Sequence, residues 1–165
     1  MFAVKVVCSW LTAIALTTAL QGCAPINQDS AQRALAEGRL DDAAYDIQAA
    51  LAHDPDNLTL KNLAAQIFTQ RGVKSYQSGA MIAAGEDFHR AIDYFPTYAP
   101  AYDYLGLLSY QQRNWQDAIK YGSMGAGYAG QPDPSYVRDA REHLSQLRTG
   151  ATTGGIGSSS GRSGS

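Results

Sequence analysis

Apolar and small side chains recur along most of this chain at intervals of three and four, the spacing of one buried face on a helix. Leu60, Leu63, Ala64, Ile67 and Phe68 form one such stripe, and Tyr136, Ala140, Leu144 and Leu147 another. The stripes also repeat. Ala43, Ile47, Ala50 and Pro55 return 41 residues later as Ala84, Phe88, Ala91 and Pro96, and a further 34 residues on as Ala118, Gly122, Gly125 and Gly130. Gly38, Gly79 and Arg113 hold one shared offset, and Leu40, Met81 and Trp115 another. A period of this size predicts stacked helical hairpins that bury a core only against their neighbours.

Boundary signals agree. Asp29 or Ser30 suits the cap of a first helix, Asn57 the cap of a third, and Pro100 the first turn of a later one. Asp133-Pro134-Ser135 opens a last helix expected over Ser135 to Arg148, with Tyr136, Ala140, Leu144 and Leu147 inward and Arg138, Arg141, Glu142 and Arg148 outward. The 41-residue interval exceeds 34 by seven, close to two helical turns. It reads as a lengthened helix over about Leu58 to Ser78, with Gly72 a point of bending or fraying. The glycines at 122, 125, 127 and 130 have two readings: a weak terminal hairpin, or close packing by something against that helix.

The pattern resembles the tetratricopeptide repeat family, a 34-residue helix–turn–helix unit. Its best single match is Tyr102, Leu105 and Gly106 with Trp115, Ala118 and Ile119, and the resemblance covers about residues 29–130 plus a half-repeat. It implies an all-α, right-handed solenoid of about three hairpins closed by a capping helix, with the first helix of each hairpin lining a concave groove. By phase, Gln28, Gln32, Asn62, Gln66, Thr69, Gln70, Asp103, Tyr110 and Gln111 would face that groove, with Asn62, Gln66, Gln70, Asp103, Tyr110 and Gln111 as the partner-binding set. These residues are mostly neutral and hydrogen-bonding. The Lys and Arg clamp with which related arrays hold a terminal carboxylate is missing.

The first 22 residues read differently. Lys5 precedes an apolar run that ends in Leu20-Gln21-Gly22-Cys23, the layout of an export signal. The cysteine after a small residue resembles a bacterial lipobox, which implies residues 1–22 as a signal peptide, lipid on Cys23 and a tether over residues 23–28. Ala24 in place of Asp then favours the periplasmic face of the outer membrane by resemblance to enteric sorting rules. The alternatives are an ordinary secretory signal, or a retained membrane helix at the short limit for spanning a bilayer. From Cys23 to Asp29 the tether reaches roughly 20 Å at about 3.3 Å per residue, which keeps the domain close to the bilayer.

Charge and chemistry narrow the function further. Beyond the signal, 12 basic residues face 15 acidic ones without a like-charge block, so no nucleic-acid footprint is present. Cys8 leaves with the signal and Cys23 carries the lipid, so no thiol remains for a disulfide. His53, His89 and His143 have no metal-ligand spacing, and Asp41-Asp42 and Glu86-Asp87 read as solvated faces. No metal, no cofactor beyond the Cys23 lipid and no catalytic grouping is expected. Eight of the ten Tyr fall between Tyr94 and Tyr136. Tyr102 and Tyr104 belong to hairpin packing, while Tyr94, Tyr98, Tyr110 and Tyr128 are less constrained and suit either an interface or a small core. The expectation is a non-catalytic adaptor that binds an envelope protein or peptide and serves pilus or secretion assembly. The alternative is an adaptor of peptidoglycan hydrolases or periplasmic proteases. The last hairpin leaves room for a homodimer. Residues 149–165, nearly all Gly, Ser and Thr, are expected to be disordered.

Overall fold

The computed structural model describes residues 28–153. The expected signal peptide, Cys23 with its lipid, and most of the tether lie outside the described residues, as does the tail from residue 154. Seven helices make up the described chain, with no strand among the described residues: α1 (Gln28–Ala36), α2 (Leu40–His53), α3 (Leu58–Gln77), α4 (Met81–Tyr94), α5 (Ala99–Gln111), α6 (Trp115–Ala129) and α7 (Ser135–Thr153). They pair in sequence as hairpins α1–α2, α3–α4 and α5–α6, and α7 closes the stack against α6 and α5. The odd-numbered helices also touch in order, α1 to α3, α3 to α5 and α5 to α7, which makes one layer of the solenoid. This is the all-α architecture that the repeat implies.

The seven extra residues lie in α3, whose 20 residues exceed the 13 of α5 by that number. Gly72 does not break this helix. A Cβ there would come within 2.6 Å of the Phe88 ring and 3.2 Å of the Ala84 carbonyl, so Gly72 lets α4 cross α3 at short range. Phe88 and Phe68 are fully buried on the two sides of that crossing. One core cluster joins the first hairpin to α3 through Ile47, Leu63, Ile67 and Phe68. A second gathers Ala84, Phe88 and Leu105.

The turn inside each hairpin is built three times in one way. Gly38, Gly79 and Arg113 have φ of 73°, 82° and 59°, in the left-handed region. At each, the following residue donates its N–H five residues back, Arg39 to Ala34, Ala80 to Ser75 and Asn114 to Ser109, at 2.9 Å in all three. This is the Schellman termination, in which glycine relieves the clash that a Cβ suffers at positive φ. Arg113 alone carries a side chain there, and it is exposed. Arg113→Gly should therefore stabilise the chain by about 1 kcal/mol, and Gly79→Ala should destabilise it by a similar amount, in urea unfolding followed by circular dichroism.

Helix starts follow the sequence in part. The Asn57 side chain accepts from the N–H groups of Thr59 (3.0 Å) and Leu60 (3.2 Å), and Pro100 sits in the first turn of α5. Asp29 and Ser30 are not caps, because α1 already includes both. The inward face of α7 also differs. Val137 and Ala140 are fully buried, whereas Leu147 is 62% exposed, because α7 leans on α5 and α6 mainly over its first turns. The helix runs past Arg148 to Thr153, and the Thr149 hydroxyl returns to the Ser145 and Gln146 carbonyls.

The α6 glycines separate into three roles. Gly122 and Gly125 lie under neighbouring side chains: a Cβ on Gly122 would meet the Tyr136 hydroxyl at 2.7 Å, and one on Gly125 would meet the Asp103 carboxyl carbon at 3.0 Å. Gly130, at φ 64°, ends α6 in a fourth Schellman turn. Gly127 has open space around it. Close packing therefore explains the first two, capping the last, and neither explains Gly127.

Candidate functional site

The buried stripe of α3 turns Leu63, Ala64, Ile67 and Phe68 into the core. That rotation leaves a flanking stripe of Gln66, Thr69, Gln70, Val73, Lys74 and Gln77 along the odd-helix layer. Tyr98, Pro100 and Tyr104 at the start of α5 face it, and Gly38 and Leu40 close one side. Together they border an open groove of about 560 Å³. Lys74 is the one charged residue among those that line it, and its side chain is exposed.

The two walls are held in place from behind. Tyr104 stacks on Phe88 with ring centroids 5.3 Å apart and planes 11° apart. The Gln111 carboxamide donates to the Tyr76 hydroxyl, which ties the end of α5 to the end of α3. Tyr98 packs against the first core cluster, and burial pushes its phenol up from the usual value. The Tyr102 hydroxyl donates to the Pro96 carbonyl at 2.9 Å and fixes the loop that carries Tyr98. One polar atom behind the groove surface lacks a partner. Thr69 is only 5% exposed, and its hydroxyl makes no hydrogen bond.

The residues expected on the concave face fall into separate groups. Gln66, Thr69 and Gln70 line the groove together. Asn62 and Gln32 are exposed outside it, and Gln28 is half-buried on α1. Gln111 marks the far end through Tyr76. Asp103 and Tyr110 turn to the other side of α5. The Asp103 carboxylate lies against Gly125 of α6, and burial raises its pKa. Tyr110 packs between Trp115 (5.3 Å) and Tyr136 (5.8 Å), while Trp115 stacks on His143 at 4.6 Å. The Tyr136 phenol is pushed up to about 12, first by burial and then by the nearby charges of Asp103 and Asp133, and its hydroxyl donates to the Asp103 carbonyl. Val73, Lys74 and Gln77 were within reach of sequence reasoning, since they continue the phase of Gln66 and Gln70 by further turns. Tyr98 was among the tyrosines that suited an interface or a small core, and it serves both; Tyr104 was hidden by its role in packing. Of the other tyrosines, Tyr94 stacks on Phe68 at 5.4 Å, and Tyr128 lies 5.2 Å from Tyr102 yet remains 46% exposed.

The expectation of solvated carboxylates fails at one position. Asp87 is 5% exposed and takes two bonds from Arg71, at 2.6 and 2.8 Å. Asp41 adds a longer contact of 3.4 Å to the same guanidinium, which also lies 5.0 Å over the Phe68 ring. Its hydrogen bonds to Asp87 raise the Arg71 pKa further, and Arg71 with Asp87 and Asp41 links α3, α4 and α2. Asp41, Asp42 and Glu86 are exposed. His53 ends α2, and His89 meets Tyr121 edge-on at 6.0 Å. No cluster of three or more potential metal ligands occurs among the described residues, and no described helix is long and apolar enough to cross a membrane.

No protein-family profile matches the sequence, and neither does any curated protein. Among solved structures, the chain is similar to the crystal structure of MamA protein, with a TM-score of 0.48 and 19% identity over 76% of this chain and 84% of that one. It is also similar to the Sgt2 TPR domain from Aspergillus fumigatus, with a TM-score of 0.42 and 19% identity over 83% and 86% of the two chains. The groove, and neither of these likenesses, supports the functional reading below.

Proposed function

We propose that this chain is a non-catalytic interaction scaffold that holds a segment of a partner protein in the groove between α3 and α5. One observation carries the reading: an open groove lined by three carboxamides and two tyrosine rings, with a single charged residue. Such a surface satisfies a polypeptide by hydrogen bonding and ring contact rather than by charge. Residues 1–23 support a place in the cell envelope, with Cys23 acylated and the solenoid on the periplasmic face of the outer membrane. Assembly of a pilus or secretion complex is the role that suits a small anchored scaffold of this kind.

The test is co-purification from detergent-extracted membranes. The double variant Gln66→Ala, Gln70→Ala should recover the partner about tenfold less than the unaltered chain, the effect of losing roughly 1.4 kcal/mol of hydrogen bonding. Equal recovery would remove the groove from the account. In the same preparations, Cys23→Ser should move the protein into the soluble periplasmic fraction, and its retention in the membrane would refute the lipid anchor.

A further inference from the structure

The α7 side of α5 carries a charge without a counterpart. Asp103 is half-buried, and its carboxylate makes no hydrogen bond or ion pair with any described residue. Asp87 and Asp133 are also withdrawn from water, yet each holds an arginine, Arg71 and Arg141, at 2.6 and 2.5 Å. No such cation acts on Asp103, whose pKa is raised by burial. The Tyr136 phenol does not serve it either, because that hydroxyl donates to the Asp103 backbone carbonyl at 3.2 Å. A carboxylate that is desolvated and unpaired costs free energy, which a cation from outside would recover. Its oxygens remain open to solvent, unlike the sealed Thr69 hydroxyl. The same wall supplies rings. Tyr136 lies 5.8 Å from Tyr110, which lies 5.3 Å from Trp115, and all three are half-buried. Aromatic faces attract cations, and a guanidinium both stacks on a ring and bonds a carboxylate through paired N–H groups. An acidic group would be repelled by Asp103, and a neutral one would leave its charge unanswered.

We propose that the α5–α7 face takes an arginine side chain of the partner protein, with its guanidinium on the Asp103 carboxylate and its stem along Tyr136 and Tyr110. The assignment rests on the scaffold reading given above, but it uses a different face of α5 from the groove. Tyr104 and Gln111 serve the groove, whereas Asp103 and Tyr110 turn toward α6 and α7. Helix α5 therefore separates a surface of carboxamides and one lysine from an anionic, aromatic one. A partner segment that crosses α5 finds its arginine site on one side only, and this fixes the direction in which the segment lies.

The probe is N-acetyl-arginine amide, with N-acetyl-citrulline amide as its uncharged isostere. Each is titrated into the isotope-labelled full chain in a non-ionic detergent and followed by amide NMR. The signals of Asp103, Gly125 and Tyr136 should shift saturably with the arginine probe at a Kd of roughly 10 mM, and the citrulline probe should bind about tenfold more weakly. Asp103→Asn should weaken arginine binding about tenfold without lowering the melting temperature, since it removes an unpaired charge and keeps the shape. Asp93→Asn, at an exposed position on α4, should leave the binding unchanged. Equal binding of citrulline, full retention of binding by Asp103→Asn, or an equal loss in Asp93→Asn would each overturn the assignment. So would the absence of saturable shifts up to about 100 mM. A lower melting temperature in Asp103→Asn would make the carboxylate a structural element and overturn it as well. None of these results touches the α3–α5 groove, which is decided by recovery of the native partner by the Gln66, Gln70 double variant.

Discussion

Gly122→Leu should destabilise the chain by about 3 kcal/mol and release α7 from the end of the stack. Gly122 lies where α6 passes closest to α5 and α7. A Cβ placed on Gly106 of α5 would come within 2.8 Å of the Gly122 nitrogen, and one on Gly122 would meet the Tyr136 hydroxyl at 2.7 Å and collide with Val137. Val137 is fully buried, so it has no space into which to retreat. Overpacking of this kind costs about 1–3 kcal/mol, and a branched side chain driven against the buried Val137 and the Tyr136 ring lies at the upper end. The gain in helix propensity, roughly 1 kcal/mol for replacing an interior glycine, does not offset it. Urea unfolding measures the loss, and limited proteolysis should cut α7 first. Gly127→Ala supplies the control on the same helix. Nothing lies within 4 Å of a Cβ there, so this substitution should stabilise the chain by up to about 1 kcal/mol. Equal losses at both positions would show that the close approach is not what selects glycine at 122.

Asp87→Ala should cost about 2–3 kcal/mol, almost as much. It strips the guanidinium of Arg71 of its two short bonds and leaves the cation over Phe68, with only the longer Asp41 contact. Removing one partner of a buried pair costs roughly 3–5 kcal/mol. The Arg71 side chain retains 21% of its exposure, so water recovers part of that loss. The expected sign of the rescue is specific: Asp87→Ala combined with Arg71→Met should be more stable than Asp87→Ala alone, since it removes the uncompensated charge. If the double variant proves less stable than the single one, packing by the arginine stem, rather than its charge, dominates at this site.

Local features were legible in the sequence because neighbouring residues encode them. The Asn57 cap and Pro100 depend on spacing within one turn, and the hairpin register and the seven added residues of α3 on the interval between repeats. What was not legible depends on contacts between helices. Asp87 looked solvated because its partner Arg71 lies on another helix, and no periodicity records that pairing. The α6 glycines allowed two readings until Tyr136, Val137 and Asp103 were seen to occupy the space beside them. Asp103 and Tyr110 share the helix of the groove residues, but a rotation of α5 about its axis directs them at α6 and α7. Phase assigns such positions only to within about one residue, which is enough to move a side chain to an adjacent face.

The two-sided position of Tyr104 has a mechanical consequence. Tyr104 borders the groove, and its ring stacks on Phe88, whose edge lies against the glycine at 72. A guest pushing on this wall meets a line of rigid rings ending at backbone, with no slack to take up. The cleft is an anvil rather than a hand, so the incoming chain must supply the adaptability. Differences among guests should then appear chiefly in how long each stays, with the shape of the host unchanged.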